Sequence, residues 1–206
     1  MNEPAAPGRR CCVLCLRPYR ACICRWVTPV AHQVEVLILQ HPMEVDHAKN
    51  TACLLHMSLS GSRLLTGETF AEAELQSAMQ DAAAAPKYTV LLYPETLREP
   101  APPLDTQRLT DPARIRLVVL DATWRKSRKM LHLNPSLGLL PRLALEDLPE
   151  SGYVIRKAHK PGQLSTLEAT CAALAQLEGD FDKYQPLRKA FEGFIGQQLA
   201  FAGRHA

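Results

Sequence analysis

The run Leu117-Val118-Val119-Leu120-Asp121-Ala122-Thr123-Trp124-Arg125-Lys126-Ser127-Arg128-Lys129-Met130 passes from four apolar residues, through one carboxylate, to a cluster of cations. Four apolar residues in a row, two of them β-branched, predict a buried strand. Asp121 ends it, and the basic segment behind has helical spacing. A strand that feeds a helix belongs to an α/β sheet, and such sheets bind ligands just beyond the carboxyl ends of their strands. Asp121 stands at such an end. Thr123 and Trp124 add a hydroxyl and a flat ring beside it. Arg125, Lys126, Arg128 and Lys129 place four cations in the first turns of the helix, where the macrodipole disfavours positive charge. The plain reading of a charge run is a solvated face. Here the local rule breaks beside a strand end, where function is expected to break such rules.

Upstream, Val34 to Leu39 is a near-continuous apolar run and predicts the first parallel strand, stopped by Pro42. Residues 46–60 carry Ala48, Ala52, Leu55 and Leu59 at helical spacing, with Asp46 as N-cap. His41, Glu44, Lys49, Asn50 and Thr51 fall at this strand-to-helix junction, each within reach of a ligand at the sheet edge. Residues 72–85 predict an alanine-rich surface helix closed by Pro86. Tyr88 to Tyr93 predicts a second strand, again ending in proline, at Pro94. The prolines of residues 98–112 predict a long loop. Residues 143–145 form a short further strand. Ser165 and Glu168 spell a capping box opening a helix that runs to about Leu177. The last helix covers residues 184–202, with Leu187, Phe191, Phe194, Ile195 and Leu199 on one face.

The cysteines are concentrated. Of seven, five fall within residues 11–24, and Cys12, Cys15, Cys22 and Cys24 give C-x2-C-x6-C-x-C. Two chelating pairs around a tight loop suit a tetrahedral thiolate site for structural zinc, with Cys11 as a possible substitute for Cys12. An iron–sulfur cluster lacks a matching spacing, and disulfides do not suit a reducing compartment. Arg9, Arg10, Arg17, Arg20 and Arg25 surround this knuckle; they either touch nucleic-acid backbone or merely solvate it. The chain has 206 residues, 47% hydrophobic and 22% charged, with net charge +3. That is an ordinary globular composition whose mild basicity permits an RNA partner without requiring one. We expect a cytoplasmic protein, with no membrane span, as monomer or homodimer. Residues 1–10 are expected to be a flexible tail, 11–30 the knuckle and 31–206 the α/β domain. None of the ten glycines forms a dinucleotide or P-loop fingerprint.

The Asp-x-Thr-Trp motif at a strand end resembles the signature of the DTW-domain family. The ordered set of cysteine knuckle, strand-proline-acid loop, strand-Tyr-Pro, Asp-x-Thr-Trp, and Tyr153-x-x-Arg156 before a late helix covers nearly the whole chain. The resemblance implies a SPOUT-like, mostly parallel sheet flanked by helices, preceded by the zinc knuckle, and it admits a C-terminal knot. It implies a tRNA-uridine aminocarboxypropyltransferase, which moves the 3-amino-3-carboxypropyl group of S-adenosylmethionine to uridine N3. Asp121 is then the catalytic carboxylate, as base or as holder of the donor's ammonium. Donor contacts are implied at Leu92, Tyr93, Pro94, Leu120, Thr123, Trp124, Leu164, Ser165, Thr166 and Glu168. Arg156 would pair with the donor's carboxylate, or else face RNA phosphate. Arg17, Arg20, Arg25, Arg125, Lys126, Arg128 and Lys129 would meet tRNA. Two other classes remain open: a SPOUT-type RNA methyltransferase and a non-catalytic zinc-knuckle RNA-binding module.

Overall fold

The computed structural model of the protein describes residues 10–45, 47–80, 85–95, 101–145 and 164–202. Among the described residues, five strands form one sheet: β1 (Glu35–Gln40), β2 (Arg63–Thr66), β3 (Tyr88–Leu92), β4 (Ile115–Asp121) and β5 (Arg142–Leu143). Their order is β2-β1-β4-β3-β5, and every pairing is parallel. The apolar runs explain the two central strands. Both faces of β1 and β4 are covered, so nearly every side chain along them is buried.

The covering helices divide by face. Val36 and Ile38 of β1, with Leu117 and Val119 of β4, pack into one core with α1 (Ala52–Ser58), α5 (Thr166–Glu178) and α6 (Gln185–Ala202). Leu37, Leu39 and Val118 point the other way. They meet Leu75 of α2 (Glu72–Met79), Met130 and Leu131 of α3 (Trp124–Leu133), and Leu137 of α4 (Pro135–Gly138). Truncating a fully buried residue such as Leu117 to alanine should cost about 2–5 kcal/mol.

This division fixes where a ligand can bind. β1 and β4 are neighbours, yet β1 leads into α1 on one face and β4 into α3 on the other. The crevice between two such strands is a topological switch point, and it opens at their carboxyl ends. Gln40 and Asp121 are paired there in register.

Several expected boundaries shift. The helix expected over residues 46–60 is only Ala52–Ser58, because residues 47–50 turn instead. Asn50 N–H donates to the His47 carbonyl at 2.8 Å, and Asn50 Oδ1 accepts from Cys53 N–H at 3.2 Å. Asp46 lies outside the described residues. α2 stops at Met79, with Gln80 extended, and residues 81–84 are not described. The proline-rich stretch holds two 3-10 turns, Thr106–Leu109 and Pro112–Arg114, each capped by the aspartate before it. The strand expected at 143–145 is Arg142–Leu143, because only Leu91 and Leu92 pair with it. α5 carries the predicted capping box and ends at Gly179, whose φ of 65° suits a residue without Cβ. α6 buries Leu187, Phe191, Phe194 and Ile195 but leaves Leu199 half exposed.

The cysteine knuckle shares the main core. Cys12, Cys15, Ile23 and Val30 belong to the same buried cluster as α5 and α6. Trp26 lies against Gly193 of α6, where an added Cβ would meet its ring at 2.2 Å. Its indole N–H donates to Gln197 Oε1 at 2.6 Å. Gln197 Nε2 in turn donates to the Cys22 carbonyl at 3.1 Å. The segment where a knot would close includes residues 146–163, which are not described.

Candidate functional site

Asp121 ends β4 and is buried. Its Oδ2 accepts from Gln40 Nε2 at 2.9 Å and from Asn50 Nδ2 at 2.6 Å. Its Oδ1 accepts from the Thr166 hydroxyl at 2.7 Å. The donors come from the end of β1, the turn before α1 and the first residue of α5. Each of these three donors is neutral, so they orient the carboxylate without themselves adding a counter-charge. A cleft of about 230 Å³ lies above it, lined by Glu44, Lys49, Asn50, Thr51, Asp121, Ser165 and Thr166. The lining is almost wholly polar.

The capping box holds the α5 side of the cleft. Ser165 Oγ accepts from Glu168 N–H, and Glu168 Oε2 accepts from Ser165 N–H at 2.8 Å. Glu168 is therefore used in the cap and does not line the cleft, and Leu164 stands half-buried before it. Leu167 N–H donates to Thr51 Oγ1, joining this helix start to the α1 turn.

The other predicted donor contacts gather separately. Tyr93 is buried, and its ring meets that of Trp124 edge-on at 5.6 Å. The guanidinium of Arg142, also buried, lies 5.0 Å over Tyr93. This stack leads from a buried cation to a half-exposed indole. Leu120 and Thr123 are half-buried beside it, Leu92 is half-buried on the other face of the sheet, and Pro94 is exposed. Arg156 lies outside the described residues.

Two ion pairs brace the mouth. Lys126 Nζ donates to the buried Glu44 at 2.9 Å. Lys129 donates to Glu68 at 2.8 Å, and His41 Nε2 meets the other oxygen of Glu68 at 2.9 Å. The Lys129 ammonium, then His41, hold the Glu68 carboxyl below its ordinary value. Half of the predicted basic cluster thus anchors loops, while Arg125 and Arg128 remain exposed on α3. Arg17 is likewise occupied. It donates to the carbonyls of Ala48 and Asn50 at 2.8 and 2.9 Å and lies over the Phe194 ring. Arg20 and Arg25 are exposed, with Arg25 stacked 4.5 Å over Trp26.

Sequence reading missed Gln40 and Glu68. Gln40 had a signal: it is the polar residue that closes an apolar strand. Glu68 had none, because it meets its partners only after folding.

The sulfur atoms of Cys12, Cys15, Cys22 and Cys24 all lie within 4.8 Å of one another. Cys12 and Cys24 are 3.6 Å apart, and Cys15 and Cys22 are 3.7 Å apart. Four thiolates about 2.3 Å from one tetrahedral ion sit about 3.8 Å apart, so the set fits a metal such as zinc. Cys11 is exposed and outside the cluster. Backbone N–H groups of Cys15 and Leu14 pull the Cys12 thiol down to about 6. Burial, then the thiols of Cys12 and Cys22, push Cys24 well above the ordinary thiol range. A bound divalent cation would offset that crowding.

A sequence model of the DTW domain matches residues 9–199. The chain is 30% identical over 198 residues to tRNA-uridine aminocarboxypropyltransferase 2 of Drosophila melanogaster, covering 94% of this chain and 77% of that protein. It is 27% identical over 210 residues to tRNA-uridine aminocarboxypropyltransferase A of Arabidopsis thaliana, covering 89% and 78%. With tRNA-uridine aminocarboxypropyltransferase 2 of Mus musculus it shares 30% over 196 residues, covering 91% and 63%. No solved structure matches it. With a family match spanning nearly its whole length and Asp-x-Thr-Trp at the head of its cleft, this chain belongs to the DTW domain family.

Proposed function

We propose that this protein transfers the 3-amino-3-carboxypropyl group of S-adenosylmethionine to N3 of a uridine in tRNA, releasing methylthioadenosine. The names of its relatives support the reaction class. The observation that carries it is the oriented carboxylate of Asp121 in a small polar cleft at the switch point. With Asp121, Glu44 and Lys49 in its polar lining, the cleft suits the zwitterionic amino-acid arm of the donor. Asp121 and Glu44 offer acceptors for an ammonium, and Lys49 offers a partner for a carboxylate.

In the transfer, uridine N3 loses its proton and attacks the arm's γ-carbon. The N3–C bond forms as the C–S bond breaks, and sulfur keeps the electron pair as a neutral thioether. One proton is released. Asp121 Oδ1 accepts one hydrogen bond in the structure and has capacity for another. We assign it to receive the N3 proton or the arm's ammonium. Held by three donors, it needs no reorientation when substrate arrives. The exposed Trp124, set edge-on against Tyr93, is a flat surface for the adenosine or the uridine. Zinc, held by the four cysteines, would be structural, since four thiolates leave it no open position.

Mass spectrometry tests this directly. Incubating the protein with unmodified tRNA and S-adenosylmethionine should yield aminocarboxypropyl-uridine and methylthioadenosine in equal amounts. S-adenosylhomocysteine with a methylated nucleoside would instead establish a SPOUT-type methyltransferase. RNA binding without either product would leave a binding module.

A further inference from the structure

The knuckle tip carries apolar surface that the fold does not use. Val13, Leu14 and Leu16 are 82%, 71% and 77% exposed, and Tyr19 is 60% exposed. Leu16 has φ 57°, in the left-handed region where glycine is the less costly residue. A turn alone would be served by glycine, yet a leucine stands there with its side chain in solvent. Strain of this kind is kept where the side chain has a use.

The surroundings indicate what the tip meets. Arg10, Arg20 and Arg25 are exposed around it, and residues 10–34 contain no aspartate or glutamate. The partner is therefore an anion that also presents apolar faces. Unstacked nucleotides have both features, since every base has a π-face beside its phosphate. The knuckle is also tied to the cleft. Arg17, inside the knuckle, holds the carbonyls of Ala48 and Asn50, and Asn50 reaches Asp121.

We propose that Val13, Leu14, Leu16 and Tyr19 receive unstacked bases of an RNA substrate, with Arg20 and Arg25 on the flanking phosphates. This rests on the tRNA reading above and adds the part of the RNA that is gripped: single-stranded nucleotides beyond the target base.

The test is direct binding by the full chain, without S-adenosylmethionine. The probes are whole tRNA, a single-stranded uridine-rich oligonucleotide and a blunt RNA duplex. The variant is Leu14→Ser, Leu16→Gly and Tyr19→Ala together, with metal content and melting temperature checked against the parent. These side chains lie largely in solvent, so the fold should hold. We expect tRNA and single-strand affinity to fall about tenfold or more, as loss of base stacking does. Duplex affinity should be unchanged. The salt slope should also be unchanged, because no cation is removed, whereas Arg20→Gln with Arg25→Gln should flatten it. Failure of the parent protein to bind the single strand would overturn the proposal. So would variant affinities within twofold of the parent. A variant that changes the sedimentation coefficient while keeping RNA affinity would assign the tip to a second copy and also overturn it. Turnover is read separately: binding that follows this pattern with no methylthioadenosine released removes the transferase reading and keeps the tip.

Discussion

Asp121 is fixed by Gln40, Asn50 and Thr166, which stand on three different parts of the fold. Asp121→Asn should fold normally: its carbonyl can take the Oδ2 position, and its amide can face the Thr166 hydroxyl, which rotates to accept. If Asp121 takes the N3 proton, single-turnover release of methylthioadenosine should fall about 10²–10⁴-fold while S-adenosylmethionine still binds by calorimetry. If it holds the ammonium, donor affinity should fall with turnover. Near-normal turnover would remove Asp121 from the reaction. A partly buried carboxylate, Glu35, sits at the opposite end of the sheet. Burial raises its pKa, but Arg116 and Arg63 outweigh that and hold it below the usual carboxylate value. Glu178 is depressed likewise by Lys183 and the N–H groups of Gln33 and Val34, against its own burial. Groups depressed in the folded state contribute stability above their unfolded value and lose it as pH falls through the folded one. The melting temperature should hold from pH 7 to about 5 and drop below about 4, near the unfolded glutamate pKa. Glu35→Gln should remove part of that drop. It should also cost about 3 kcal/mol at pH 7, because Arg116, only 1% exposed, loses its anion. Asp121 and the four cysteines were legible because their signals are local: a strand end, and short spacings. Glu68 became visible only when the β2 exit came to lie beside α3, and the strand-end signal of Gln40 acquired a partner only when β1 came to lie beside β4.

The basic helix α3 divides its cations by direction. Lys126 and Lys129 turn back onto Glu44 and Glu68, leaving Arg125 and Arg128 on the open face. Replacing those two arginines with glutamine should weaken tRNA binding and reduce the slope of log affinity against log salt by up to about 2. Lys126→Gln should instead act through the Glu44 loop, and unchanged salt dependence in the arginine variant would make α3 a solvated face. The knuckle should carry about one zinc per chain. Because Cys12, Cys15 and Ile23 belong to the main core, metal removal should lower the melting temperature of the whole protein, without a separate early transition. Calorimetry after chelation, beside metal analysis of anaerobically purified protein, checks both. Sequence patterning found β1, β3, β4, α5 and α6, whose apolar periods are long. It missed β2, which has only four residues, none of them buried, and gains its place by pairing with β1. It overextended α1 because apolar spacing continues through residues that Asn50 draws into a turn.

At the scale of the molecule, the parallel sheet was readable from strand–helix alternation, but the strand order was not. That order places Gln40 opposite Asp121 and sends α1 and α3 to opposite faces, so the cleft exists only in the assembled fold. Assembly has its own calendar. Trp26 packs against Gly193 and bonds to Gln197, so the knuckle is completed by α6, about 170 residues further along the chain. A ribosome adding about 5–20 residues per second needs roughly ten to thirty seconds to pass from one to the other. Throughout that interval the nascent knuckle holds its indole and Ile23 without the surface that later covers them, so it is open to sticking or cleavage until α6 docks.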